Sequence, residues 1–265
     1  MSGAHKLALC YWREGAFDEA RVNLVEALSD LRKADGELRA CILIRSGMVE
    51  ATAARWNEAL RFYQESAALV EESNDDALKG AYHNSVAAVL TSLAAADNRE
   101  DYRDQALIEY AAASIHFEAA GNTRYFALVE NNLGFLFSTI GKFNEAYNHI
   151  DRAHALFVEL GDRSSIAQVD DTRARALLAE GEPVQAERFA RAAVRVLERG
   201  DEHSLLSEAL TTHGTALARM GKNGRAVAAL DRASILRTRR VIRKAQAARD
   251  WRSSKNSEIG CHPKS

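Results

Sequence analysis

An alanine recurs along this chain at a spacing close to 40 residues, and that recurrence limits the possible folds more than any other feature. It closes the segments GAFDEA at Ala20, ARWNEA at Ala59, DYRDQA at Ala106, GKFNEA at Ala146, GEPVQA at Ala186 and GKNGRA at Ala226. The spacings are 39, 47, 40, 40 and 40 residues. A fixed period of this size marks a stack of similar supersecondary units, each burying its apolar face against its neighbours. Glycine stands five residues before four of the alanines (Gly15, Gly141, Gly181, Gly221). Alanine stands seven residues after five of them (Ala27, Ala113, Ala153, Ala193, Ala233), and Ser66 takes that place in the sixth. The small residue of the first helix stands twelve before five of the repeat alanines, as Ala8, Gly47, Gly134, Ala174 and Gly214, and in the third repeat it is read as Ala87, nineteen before Ala106.

These offsets describe a helical hairpin. Two antiparallel helices approach closely only where their facing side chains are small. The intervening glycine supplies a positive φ that ends the first helix in a tight turn. Bulky residues at helical spacing, such as Leu133, Leu136, Phe137 and Ile140, fill the space beside the contact. Composition agrees. Hydrophobic residues make up 47% of the 265, enough for a core, and there are 2 prolines. An alanine-rich, proline-poor, charged chain loses little on entering helices. The expected fold class is all-α: a right-handed α-solenoid of about six helical hairpins. The 47-residue spacing places seven extra residues between the helices of the third hairpin. The polar stretch Ala96–Asp101 is expected to hold them as an exposed loop.

The segment NNLGFLFSTIGKFNEAYNHIDRAHALF, Asn131 to Phe157, closely resembles a tetratricopeptide repeat (TPR). The match rests on Leu133-Gly134, Phe137, Gly141, Phe143, Ala146 and Ala153. The resemblance extends over roughly residues 4–235, with two departures. The period is 40 rather than 34. The proline that ends the second helix in the family is missing: Arg32, Glu71, Glu118, Val158, Glu198 and Thr238 stand there. The second helix is therefore expected to run on to stop signals such as Asn74-Asp75, Gly121-Asn122, Gly161-Asp162 and Gly200-Asp201. Such long repeats are similar to those of bacterial regulators and kinesin light chains. The array is expected over residues 1–236 and a separate basic tail over 237–265.

The resemblance implies that first helices line a concave groove and that the residue three before the small position points into it. That register reads His5, Ile44, Asn84, Asn131, Asp171 and Thr211, with Ser138, Arg175 and Thr215 nearby. Asparagine both donates and accepts, so it suits a peptide backbone. A chaperone-type carboxylate clamp would need lysine and asparagine where His5 and Leu9 stand, so that ligand is not expected.

Catalytic signatures are missing. The chain has no GxSxG, phosphate-binding glycine loop or HExxH, and its eight histidines lack metal-ligand spacing. Cys10, Cys41 and Cys261 lie far apart, which fits neither a disulfide framework nor zinc. No enzyme activity, cofactor or metal is expected. No segment reads as a signal peptide or membrane span, so a cytoplasmic location is expected. The net charge of -2 hides an asymmetry: residues 236–265 carry nine Lys/Arg against two acids, so the tail is at +7 and the body at -9. Three functions follow as expectations. The first is a scaffold holding a peptide or partner helix in the groove. The second is the sensory part of a transcription regulator. The third, disfavoured, is nucleic-acid contact through the tail. The chain begins inside a first helix and lacks a polar cap, so it also reads as part of a longer array whose uncapped ends could self-associate.

Overall fold

The computed structural model describes Tyr11, residues 17–31 and residues 35–238. His5, the small position Ala8, Gly15 and the basic tail from Arg239 onward lie outside the described residues. Within them the chain is all-α. The helices are α1 (Phe17–Ser29), α2 (Gly36–Thr52), α3 (Trp56–Glu72), α4 (Asp76–Asp97), α5 (Glu100–Ala119), α6 (Thr123–Thr139), α7 (Phe143–Glu159), α8 (Arg163–Glu180), α9 (Pro183–Leu197) and α10 (His203–Arg219). A last helical stretch, α11, covers 223–238. They divide into two compact units at the Glu72/Ser73 boundary, α1–α3 on one side and α4–α11 on the other.

In the first unit α2 and α3 form a hairpin and α1 packs on α2. Ala20, Leu24 and Ala27 of α1 meet Ile42 and Val49 of α2 in its core. The second unit holds four hairpins, α4–α5, α6–α7, α8–α9 and α10–α11. The second helix of each hairpin packs on the first helix of the next, and successive first helices touch one another. The six repeat alanines are all buried, five of them completely.

The small residue on each first helix has a defined partner, four residues after the repeat alanine. A Cβ on Gly47 would fall 2.2 Å from Tyr63, on Gly134 2.5 Å from Ile150, and on Gly214 2.7 Å from Leu230. The alanine alone does not explain the close approach: a large side chain one turn further on drops over the bare glycine. At the turns, Gly141, Gly181 and Gly221 take positive φ (77°, 94° and 73°), as the sequence requires. Hairpin α2–α3 has no glycine there, and Ala54 adopts the left-handed conformation instead, at φ 58°. Asp75, Asn122 and Asp162 cap the next first helices by accepting from backbone N–H groups of Ala77, Tyr125 and Ser165.

The seven-residue insertion is not a loop. It lengthens both helices, so α4 has 22 residues and α5 has 20, against 17 in α6 and α7. Seven residues add about one turn of 3.6 to each arm, which preserves the facing register. Gly80 accordingly sits under Phe117, and a Cβ there would approach its ring to 2.7 Å. The run Ala94-Ala95-Ala96 favours helix, and Asn98 closes it in the left-handed conformation at φ 51°.

Candidate ligand face on the first helices

Hydrogen bonds, an ion pair and one cation–π contact tie the first helices α4, α6, α8 and α10 into one ladder. Asn132 Nδ2 in α6 donates to Asn84 Oδ1 in α4 at 3.2 Å. Phe135, one turn on from Asn132, lies beneath the Arg175 guanidinium of α8, 5.8 Å from the ring centroid. Arg175 Nε stands 2.9 Å from Asp171 Oδ2, and its Nη2 donates to Glu208 Oε2 of α10 at 3.1 Å. Thr211 Oγ1 donates to the Ser207 carbonyl at 2.8 Å and accepts from Arg237 Nη2 at 3.0 Å.

The positions expected to face a ligand divide into two groups. Asn84, Arg175, Thr211 and Thr215 are partly exposed on this ladder. Asn131, Ser138 and Asp171 are buried in its wall, at 4%, 3% and 5% exposure. Ile44, in the first unit, is buried as well. Ser138 is satisfied locally by donating to the Phe135 carbonyl at 2.6 Å, and Thr215 by donating to Thr211 at 2.9 Å. Asn132, adjacent to Asn131, makes the cross-helix contact. One residue turns a helix by about 100°, and the period of the repeat does not resolve so small a rotation.

Two buried acceptors in the wall have no partner: Asn131 Oδ1 and Asp171 Oδ1. They occupy the same register on adjacent helices α6 and α8. Burial pushes the Asp171 carboxyl above its usual range, against the opposing pull of Arg175. An acceptor left unpaired in such a place costs about 1–3 kcal/mol, which a ligand or water donor would return.

Behind this face, buried carboxylates join the helices. Glu130, 2% exposed, accepts from Ser114 Oγ at 3.4 Å and lies 2.9 Å from His149 Nδ1. His149 stacks on Phe137 with ring centroids 5.2 Å apart. Glu187 meets His213 at 3.3 Å and Arg191 at 3.7 Å. His83 and Glu109, and His116 and Asp76, staple the long α4–α5 hairpin at 2.7 and 2.8 Å. Four of the eight histidines, His83, His116, His149 and His213, thus serve as inter-helix links. No group of three or more metal-ligating side chains occurs among the described residues. No helix among them is long and apolar enough to cross a membrane.

Solved structures share this fold. The chain is similar to a Rap protein complexed with Competence and Sporulation Factor, at TM-score 0.73 and 18% identity, covering 83% of this chain and 59% of that one. It is similar to a signal transduction ATPase with a tetratricopeptide repeat sensor from Pyrococcus horikoshii, at TM-score 0.65 and 13% identity over 97% of this chain and 43% of that one. It is also similar to the TPR-like repeats of a putative kinesin light chain from Podosopora anserina, at TM-score 0.55 and 12% identity over 77% and 97%. The fold is a TPR-type helical-repeat solenoid. This chain spans 59% of the Rap protein and 43% of the ATPase. No protein-family model and no curated protein sequence matches it. Within the second unit successive first helices contact one another while each second helix packs on the first helices beside it, so the polar ladder runs along one layer of helices.

Proposed function

We propose that this chain is a non-catalytic protein-interaction scaffold that holds an extended peptide or a partner helix against the first-helix face of α4, α6, α8 and α10, in the cytoplasm. The observation that carries the reading is the part-exposed polar ladder of Asn84, Asn132 and Arg175 along successive first helices, backed at one register by the unpaired acceptors Asn131 Oδ1 and Asp171 Oδ1. Regularly spaced acceptors suit the regularly spaced N–H donors of a peptide backbone. Arg175 adds a planar cation for a ligand carboxylate in competition with Glu208. A Rap protein of the same fold has been solved complexed with Competence and Sporulation Factor, which supports a ligand-holding role.

The test is selection of binders from a random peptide display library, followed by titration calorimetry on the wild type and on Asn84→Ala, Asn132→Ala and Arg175→Ala. Each neutral hydrogen bond is worth about 0.5–1.5 kcal/mol net, so each asparagine change weakens binding several-fold. Wild-type affinity in all three variants moves the binding surface off this face. A sensory role within a larger regulator is a second reading, favoured by the likeness to a protein whose TPR part is a sensor. Fusing the chain to a reporter DNA-binding domain and asking whether a selected peptide alters its output separates the two.

A further inference from the structure

A second open site lies away from the first-helix face, in the gap between the second helices α7 and α9. It is a cleft of about 400 Å³ floored by Arg173, Leu177 and Glu180 of α8, with Tyr147 on one wall and Phe189 and Glu182 on the other. The repeat explains why it is open. Phe137, three residues after the small position of α6, fills the corresponding place by stacking on His149. The equivalent residues here are Leu177 and Phe189, and the shorter Leu177 does not reach across.

The first unit shows what this place in the repeat accommodates. Its equivalent notch contains Glu50, held by Arg21 Nε at 2.6 Å and Arg55 Nε at 3.1 Å. Arg21 follows the repeat alanine Ala20 directly, and Arg55 precedes Ala59 by four. The same two offsets in the α7–α9 cleft are Tyr147, after Ala146, and Glu182, four before Ala186. Both built-in cations are therefore replaced, one by an aromatic ring and one by a carboxylate. Tyr147 donates its hydroxyl to Glu180 Oε2 at 2.5 Å, leaving the rest of that carboxylate's acceptor capacity free. Burial and then the adjoining Glu180 push the Tyr147 phenol well above its ordinary value, so it stays a donor. The one cation in the cleft, Arg173, stacks over Phe189 at 5.4 Å and pairs with Asp151.

We propose that the α7–α9 cleft is a subsite for a lysine or arginine side chain of a partner protein. The aliphatic stem packs on Leu177 and the rings of Tyr147 and Phe189, and the charged head takes the carboxylates of Glu180 and Glu182. The inference does not depend on the first-helix face, since no residue is shared between the two sites.

The full chain, labelled with 15N, is titrated with Nα-acetyl-lysine N-methylamide, with the arginine analogue, with the uncharged norleucine analogue and with putrescine, reading backbone amide shifts. The expected result is saturable movement at Tyr147, Glu180, Gln185 and Phe189 with the lysine or arginine compound, and weaker binding of norleucine. Glu180→Gln, isosteric and at the surface, weakens the lysine compound by about tenfold, as loss of a charge-assisted contact does. Glu182→Gln weakens it several-fold and guards against a folding defect in the first variant. Norleucine binding as well as lysine overturns the assignment of a cation. Putrescine displacing the side-chain analogues at lower concentration overturns the assignment to a protein partner. No localised shift with any compound overturns the site.

Discussion

Ile150 lies where a side chain on Gly134 would have to be: a Cβ on Gly134 would stand 2.5 Å from Ile150 Cγ1 and 3.1 Å from the Ala146 carbonyl oxygen. The contact is between the two arms of one hairpin, and Ile150 is completely buried. Neither atom belongs to the far end of a flexible chain, so the space cannot be cleared cheaply. Gly134→Ala should destabilise the fold by about 1–3 kcal/mol through overpacking. Ala146→Leu, at a fully buried position of the same hairpin, should cost a similar amount. Glu145→Gln, exposed on the same helix, should stay within about 0.5 kcal/mol. Urea unfolding curves for the three variants decide it, and unchanged midpoints for the first two would mean that the arms are in another register.

Glu130 has a different role, because it links three helices. It accepts from Ser114 of α5, pairs with His149 of α7 and stands 3.7 Å from Arg152. Glu130→Ala leaves those groups facing a void and should cost about 1–3 kcal/mol, the range for leaving hydrogen-bonding partners unsatisfied. Glu130→Gln keeps the shape and one acceptor and should cost clearly less. Thermal unfolding of both, at one pH, tests whether the charge or the hydrogen-bonding shape matters more.

Asp171 makes a pH prediction with a definite sign. Burial raises its pKa in the folded state above the ordinary carboxylate value of about 3.9. The folded chain thus holds this proton more tightly than the unfolded chain. Its contribution to stability is greatest at low pH and falls as pH rises from about 3.9 through the raised folded value. Asp171→Asn removes that fall. Stability of the wild type minus that of the variant should decrease as pH rises across this interval and then level off. Denaturant titrations at several pH values measure it; a difference independent of pH would contradict the burial argument.

Asn131 should show a conflict between stability and binding. Its Oδ1 is buried without a partner, which costs free energy in the empty protein. Asn131→Leu removes that cost while keeping the volume close, and should be neutral or stabilising by up to about 1–2 kcal/mol. It should also weaken binding of peptides selected on the first-helix face several-fold. A variant that is both more stable and fully competent to bind would release Asn131 from any ligand role.

The hairpins, their turns and their register were legible in the sequence because each depends on residues close together along the chain. A glycine five before Ala146 ends α6 and an aspartate caps α8. Local geometry and the bare faces of glycine and alanine decide these features, so a periodic pattern suffices to read them. The seven-residue insertion, expected as a loop, instead lengthens α4 and α5, because its alanines favour helix and one added turn per arm keeps the register. What only the tertiary structure decided is which atoms meet across helices. Asn132 rather than Asn131 bonds Asn84, 48 residues away. His149 and Ser114 converge on Glu130, and Leu177 leaves open the cleft that Phe137 fills elsewhere. Each of these turns on a rotation of about 100° per residue or on the reach of one side chain. Repeat spacing carries neither quantity; packing between hairpins sets both.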